Sequence, residues 1–156
     1  GFYDDGVLIT ASSGPTYVTK TTDQTYSNTT FVADTALSFA VAANTKYRFD
    51  FNLIVNCGPA ADIKFQLTGP AAPTAVRYAG ILAGGGSGGM VITDAATAFS
   101  TSWSLLSADA GTQLVVYGYL DNGANAGTVA LELAQVVNSG TNTTYMGSEV
   151  QYRILS

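Results

Sequence analysis

Hydrophobic and polar residues alternate along several stretches of this chain, with the period of two that is typical of β-strands. The clearest example is KYRFDFNLIV at 46–55, where aromatic or aliphatic residues occupy every second position from Tyr47 to Val55. The positions between them begin with Lys46 and Arg48. A strand of this kind packs one face on a core and exposes the other to solvent, as antiparallel sheets allow.

The same alternation returns in four other segments, and turn residues separate the apolar runs. The segments are 35–44, 61–70, 129–134 and 149–154. Gly-Pro, Asn-Gly and Ser-Gly pairs mark turns between them. Eight or nine short strands predict an all-β protein, a two-sheet antiparallel sandwich of the jelly-roll type. The stretch TDAATAFS at 93–100 predicts the one exception, a helical turn capped by Asp94.

One predicted strand, QLVVYGYLDN at 113–122, is apolar on both faces. A strand that is buried on both sides lies in the middle of a sandwich or at a subunit interface. We therefore expect its second face to be buried as well, by one of these two arrangements. The residues on that face are Val115, Tyr117 and Tyr119.

The first 28 residues differ from the rest, because they alternate only weakly and contain a single short apolar run at 7–9. This contrast predicts an extended N-terminal arm at 1–28 and a jelly-roll domain at 29–156. An arm with exposed apolar side chains is sticky, so we expect it to lie against a neighbouring subunit. The predicted contact residues are Phe2, Tyr3, Val7, Leu8, Ile9 and Tyr17.

The composition narrows the classes of partner. Only 11% of the 156 residues are charged, well below the usual ~25%, so some of the weakly charged surface is expected to be buried against other subunits. The net charge is −5 and the six Lys and Arg residues are spread singly along the sequence. No nucleic-acid partner is therefore expected. No apolar run approaches the length of a membrane span, so no membrane partner is expected either.

The sequence contains few of the residue types that catalytic sites use. The chain has no His and one Cys, which removes the Ser-His-Asp and Cys-His arrangements and argues against zinc or copper. An acid pair could be drawn from four carboxylates, but each occupies a polar strand position or a turn, where a solvated charge is expected. They are Asp50, Asp62, Glu132 and Glu149. We expect no enzyme activity, no metal and no cofactor.

Three stretches carry a family resemblance. The first is GTVALELAQVVNSGTNTTYMGSEVQYRIL at 127–155, in which an alternating strand ending in Ala-Gln is followed by a Ser/Thr/Asn loop, Gly-Ser and a final strand. The others are DTALSFAVAANTKYRFDFNLIV at 34–55 and ADIKFQLTGP at 61–70. Their order and spacing resemble those of bacteriophage virion structural proteins, over residues 30–156. The resemblance implies a jelly-roll, tumour-necrosis-factor-like trimeric domain. In such a domain Val115, Tyr117 and Tyr119 would form the trimer interface, and the arm would contact a neighbouring subunit or a capsid.

This resemblance implies a structural role in the virion. Proteins of this type act as capsid decoration (cement) proteins, which bind the outer capsid surface as homotrimers and hold the major capsid protein subunits together. The alternative is the trimeric head of a tail fibre, a receptor-binding domain that contacts the host surface. In that case Tyr78, Trp103 and the Gly-rich loop at 84–89 are the candidate contacts. No fibrous repeat lies within these residues, which favours decoration. A third possibility, an enzyme acting on surface polysaccharide, would need one of the carboxylates named above.

Overall fold

A computed structural model describes residues 2–4, 7–9, 14–58, 60–83, 90–105 and 112–155, the first two ranges by their backbone alone. The described residues form antiparallel strands, and none of them forms a helix that could cross a membrane. The strands are β1 (Phe2–Asp4), β2 (Val7–Ile9), β3 (Thr16–Thr19), β4 (Gln24–Tyr26), β5 (Val32–Val41), β6 (Lys46–Asn56), β7 (Ile63–Thr68), β8 (Ala75–Ala83), β9 (Met90–Ile92), β10 (Trp103–Leu105), β11 (Thr112–Asp121), β12 (Gly127–Gln135), β13 (Asn142–Thr144) and β14 (Glu149–Leu155).

Two sheets pack face to face as a sandwich. The small sheet has the order β10-β7-β12-β5, and the large sheet has the order β3-β14-β6-β11-β8-β9, with β13 and β4 paired beside β6. From β4 to β13, every pair of successive strands except β8 and β9 lies in different sheets, so the chain crosses repeatedly from one sheet to the other. Such crossing connections are the mark of a jelly roll, so the predicted all-β, two-sheet jelly-roll sandwich is confirmed.

The alternating positions of the sequence build the core between the sheets. Along β6, the residues from Tyr47 to Val55 are buried at every second position. Phe39 of the small sheet meets them from the other side, with its ring centroid 5.6 Å from that of Phe49. It also stacks on Tyr152 of β14 at 4.4 Å. These rings join the two sheets, and burying Phe39 or Phe49 contributes about 1.5–3 kcal/mol.

Two glycines in the central strands make room for these rings. A Cβ on Gly118 of β11 would lie 2.3 Å from the ring of Phe49, and a Cβ on Gly80 of β8 would lie 2.4 Å from the ring of Phe65. Both contacts are closer than any side chain allows. Glycine is therefore required there by the close approach of an aromatic ring, although it usually weakens a strand interior.

Residues 14–28 are hydrogen-bonded to the chain's own large sheet. β3 pairs with β14 and β4 pairs with β13. Between them, Lys20 is buried, and its Nζ lies 3.0 Å from both carboxylate oxygens of Asp34 on β5. This part of the segment predicted as an arm at 1–28 is thus held by the same domain. β1 and β2 form a separate hairpin.

The predicted helical turn at 93–100 is wrong. Ala96 instead forms an isolated bridge with Tyr78, in which the Ala96 N–H donates to the Tyr78 carbonyl at 2.7 Å. Ser100 donates its N–H to the carbonyl of Leu67 on the other sheet. The backbone groups of this segment therefore bond to neighbouring strands, which a helical turn would prevent.

Candidate functional site on the outer face of the large sheet

The outer face of the large sheet, which points away from the core, carries the residues predicted for the trimer interface. Val115, Tyr117 and Tyr119 occupy successive outward positions of β11, between β6 and β8. Tyr117 is 39% exposed, and the other two are half-buried. The opposite positions of β11 are buried in the core. The structure therefore places the three residues side by side on an open face, and the interface itself stays a prediction.

One half of this face is an apolar patch formed by Ile54, Ile81, Met90, Ile92 and Val115. Val115 lies opposite Ile81, which in turn lies opposite Ile92 on the edge strand β9. Ile54 is 44% exposed, Ile92 57% and Met90 64%. Single exposed apolar residues are ordinary, but a group of them on one sheet face, here with Asn52 and Gln113 between its members, is typical of a contact surface.

The other half is an arginine row formed by Arg153, Arg48, Tyr119 and Arg77. In the strand register Arg153 is opposite Arg48, Arg48 is opposite Tyr119, and Tyr119 is opposite Arg77. All three arginines of the chain are thus in one transverse row, and all three are exposed. The sequence shows the basic residues singly because four strands, distant along the chain, supply this row.

The arginine row is only partly neutralised by its surroundings. Among the described residues, none of its guanidinium groups has a carboxylate within ion-pair distance, while Lys46 in the next row pairs with Asp121 at 3.5 Å. Asp50 lies in the neighbouring row on the opposite side of the arginine row from Lys46. Burial raises the pKa of Asp50 above its ordinary value, although the nearby Arg48 and Arg153 act in the opposite direction. Arg77 donates from Nη1 to the carbonyl of Val76 at 2.8 Å.

Two cavities open on either side of Arg48. One, of about 260 Å³, is lined by Arg48, Arg77, Tyr117 and Tyr119 among others. The second, also of about 260 Å³, is lined by residues that include Arg48, Asp50 and Arg153. Guanidinium groups at the rim of a cavity with aromatic walls suit a carboxylate that enters it, because Arg binds carboxylates in a bidentate way.

The predicted contact residues of the arm lie elsewhere. Tyr17 is on the outward side of β3, opposite Gln151, and is 55% exposed. Phe2, Tyr3 and the residues at 7–9 belong to the β1–β2 hairpin, and their side chains lie outside the part of the chain that the structure describes.

The candidate contacts of the receptor-binding alternative are placed less favourably. Tyr78 is buried, and its hydroxyl donates to the carbonyl of Thr101 at 2.8 Å. Trp103 is half-buried, with its ring 5.5 Å from that of Phe65. The Gly-rich loop at 84–89 lies outside the described residues.

The four carboxylates considered for acid chemistry are divided between two sheets and a turn. Asp50 and Glu149 are on the outer face of the large sheet. Glu132 is on the small sheet, where Oε2 accepts a hydrogen bond from Gln66 Nε2 at 2.6 Å. Asp62 precedes β7 with a φ of 49°.

Comparisons with known proteins do not assign this chain to a family. No protein-family profile matches the chain, and no curated protein does. Solved structures similar to it include infectious bursal disease virus of the Gx strain, with 14% identity and a TM-score of 0.23 over 98% of this chain and 44% of that one. For the Gt strain the identity is 15% and the TM-score 0.24, over 99% of this chain and 42% of that one. For the VP2 subviral particle of the same virus the identity is 14% and the TM-score 0.23, over 96% of this chain and 40% of that one. The chain therefore spans less than half of the viral chains it matches, at TM-scores too low to add to the fold argument.

Proposed function

We propose that this protein is a non-enzymatic structural component of a bacteriophage virion, a capsid decoration protein that binds the outer capsid surface as a homotrimer. The observation that carries the proposal is the open outer face of the large sheet. Its central strand β11 presents Val115, Tyr117 and Tyr119 outward beside the apolar patch. The jelly-roll topology and the sequence resemblance to phage virion proteins support the same role.

The mechanism is the burial of surface against other chains. A stable interface usually buries about 800 Å² on each partner, or about a tenth of the surface of a small protein. The surface of this chain is 7920 Å², so one such contact would cover about a tenth of it. Each trimer would reinforce the shell by holding neighbouring copies of the major capsid protein together, and the β1–β2 hairpin would be a further contact.

The experiment that tests this role is the copy number of the protein in purified virions, measured relative to the major capsid protein. A decoration protein is expected at hundreds of copies, close to a simple ratio with the capsid protein. A handful of copies would support the tail-fibre head instead, and the isolated protein should then bind host cells. Absence from the particle would contradict both.

A further inference from the structure

We propose that the arginine row is a carboxylate-binding site, and that acidic side chains of a second copy of this chain fill it. The inference rests on the proposed homotrimer and specifies the chemistry of its interface. In this interface the apolar patch would supply the buried surface, and the arginine row would determine which surface of the second copy binds there.

The first argument is that the arginine row is unfavourable in an isolated chain. Like charges directly opposite each other on neighbouring strands destabilise a sheet. Arg153 and Arg48 occupy such a position, and the carboxylate of Asp50 lies near both. Acidic groups from outside would remove this repulsion, and the two cavities beside Arg48 leave space for them.

The second argument is the kind of residue. Arg and Tyr are enriched in the central parts of protein interfaces, whereas Lys is depleted. The arginine row holds every arginine of the chain, with Tyr119 within it and Tyr117 beside it. Of the three lysines, Lys20 is buried in an ion pair with Asp34, and Lys46 is paired with Asp121. Lys64 belongs to the small sheet, with its Nζ 4.9 Å from the ring centroid of Phe31.

The third argument is charge complementarity with a second copy. The chain has a net charge of −5 with its three arginines, so the rest of the chain carries −8. Taken as a whole, the rest of a second copy is therefore acidic. Two outer faces placed against each other would instead bring arginine against arginine. The arginine row thus favours contact with a different surface of the next copy, and repeated contacts of that kind form a ring, such as the proposed trimer, where the rotation between copies closes.

The test is the association of the purified full chain, measured by sedimentation at several salt concentrations. The main variant is Arg48→Gln/Arg153→Gln, with Arg48→Lys/Arg153→Lys as the charge-conserving form. Lys64→Gln removes a positive charge from the other sheet and is the matched control. Thermal unfolding followed by circular dichroism shows that each variant folds.

Expected results follow from the screening of charge pairs by salt. The dissociation constant of the wild-type trimer should rise about tenfold or more between about 50 and about 500 mM salt. The Gln double variant should already associate about tenfold more weakly at low salt and lose most of this salt dependence. The Lys double variant should keep much of it, and Lys64→Gln should resemble the wild type.

One result would overturn the inference while leaving the homotrimer intact: a Gln double variant whose association and salt dependence equal those of the wild type. Titration of both chains with polyglutamate then identifies the reason, because loss of polyglutamate binding in the variant would show that the arginine row serves an acidic partner of another kind. A wild-type chain that is monomeric at every salt concentration would overturn the proposed homotrimer, and this inference with it.

Discussion

The two faces of strand β11 differ in what covers them. Its inward positions, with Leu114, Val116 and Leu120, are covered by the small sheet of the same chain. Its outward positions include Val115, Tyr117 and Tyr119, which stay partly exposed because no element of the described chain covers them. The comparison teaches that a strand with two apolar faces needs two partners. One is the chain's own second sheet, and the other is the subunit that we propose.

The largest effect is expected from the inner face. Phe49→Ala removes a fully buried ring that contacts Phe39 and lies against Gly118, so the free energy of unfolding should fall by about 3–5 kcal/mol. Ile54→Ala on the outward side of the same strand, where the side chain is 44% exposed, should cost less than about 1 kcal/mol. Chemical denaturation measures both. Similar losses for the two variants would remove the distinction between the faces.

The next largest effect concerns the buried ion pair that holds residues 14–28. Lys20→Met leaves the carboxylate of Asp34 buried without its partner, and should lower the free energy of unfolding by about 3–5 kcal/mol. Lys46→Met is the control, because Lys46 is exposed and its pair with Asp121 should contribute about 0–1 kcal/mol. An equal effect of the two substitutions would show that the segment is held in another way.

Deletion of the N-terminal residues sharpens the comparison between a part of the fold and a contact arm. Removing residues 1–28 deletes β3, β4, Lys20 and Tyr26, so the truncated chain should unfold at a clearly lower temperature. Removing only residues 1–13 leaves these contacts in place, and should keep the unfolding temperature while weakening capsid binding. Unchanged capsid binding of the shorter deletion would contradict a contact role for the hairpin.

A smaller effect is expected from Asp50 on the outer face. Because burial raises its pKa above 3.8, the folded state binds this proton more tightly than the unfolded state. Asp50 therefore favours folding most at low pH, and this contribution is lost as the pH rises above 3.8 through the raised value. Asp50→Asn should remove that part of the pH dependence, as measured by denaturation at several pH values. A pH profile identical to that of the wild type would contradict it.

The sequence alone was sufficient to predict which residues face the core between the sheets, because alternation is a local signal. The buried positions of β6, β7 and β12 follow from it directly, as does the two-sheet fold. β3 and β4 were not predicted, since TYVT and QTY are short, largely polar strands without strong alternation. Lys20 and Asp34 are fourteen residues apart, and their pairing depends on how the segment crosses the sheets.

The outer face was only half predictable for a related reason. The apolar outward residues of β11 can be read from one segment, but the arginine row requires the register of four strands at once. Arg48 and Arg153 are opposite each other only because β14 returns beside β6. The segment 93–100 shows the same limit, since its helical pattern gave way to hydrogen bonds with Tyr78 and Leu67 on neighbouring strands.

The most direct test of the central claim is the molar mass in solution of the wild-type chain and of Tyr117→Ser. We predict a wild-type mass three times that of the 16.1 kDa chain. The variant should have the same β-sheet circular dichroism and a shift toward the monomer mass, because Tyr117 lies at the centre of the open face. A monomeric wild type, or a variant that keeps the full trimer mass, would contradict the assignment of this face as the subunit interface.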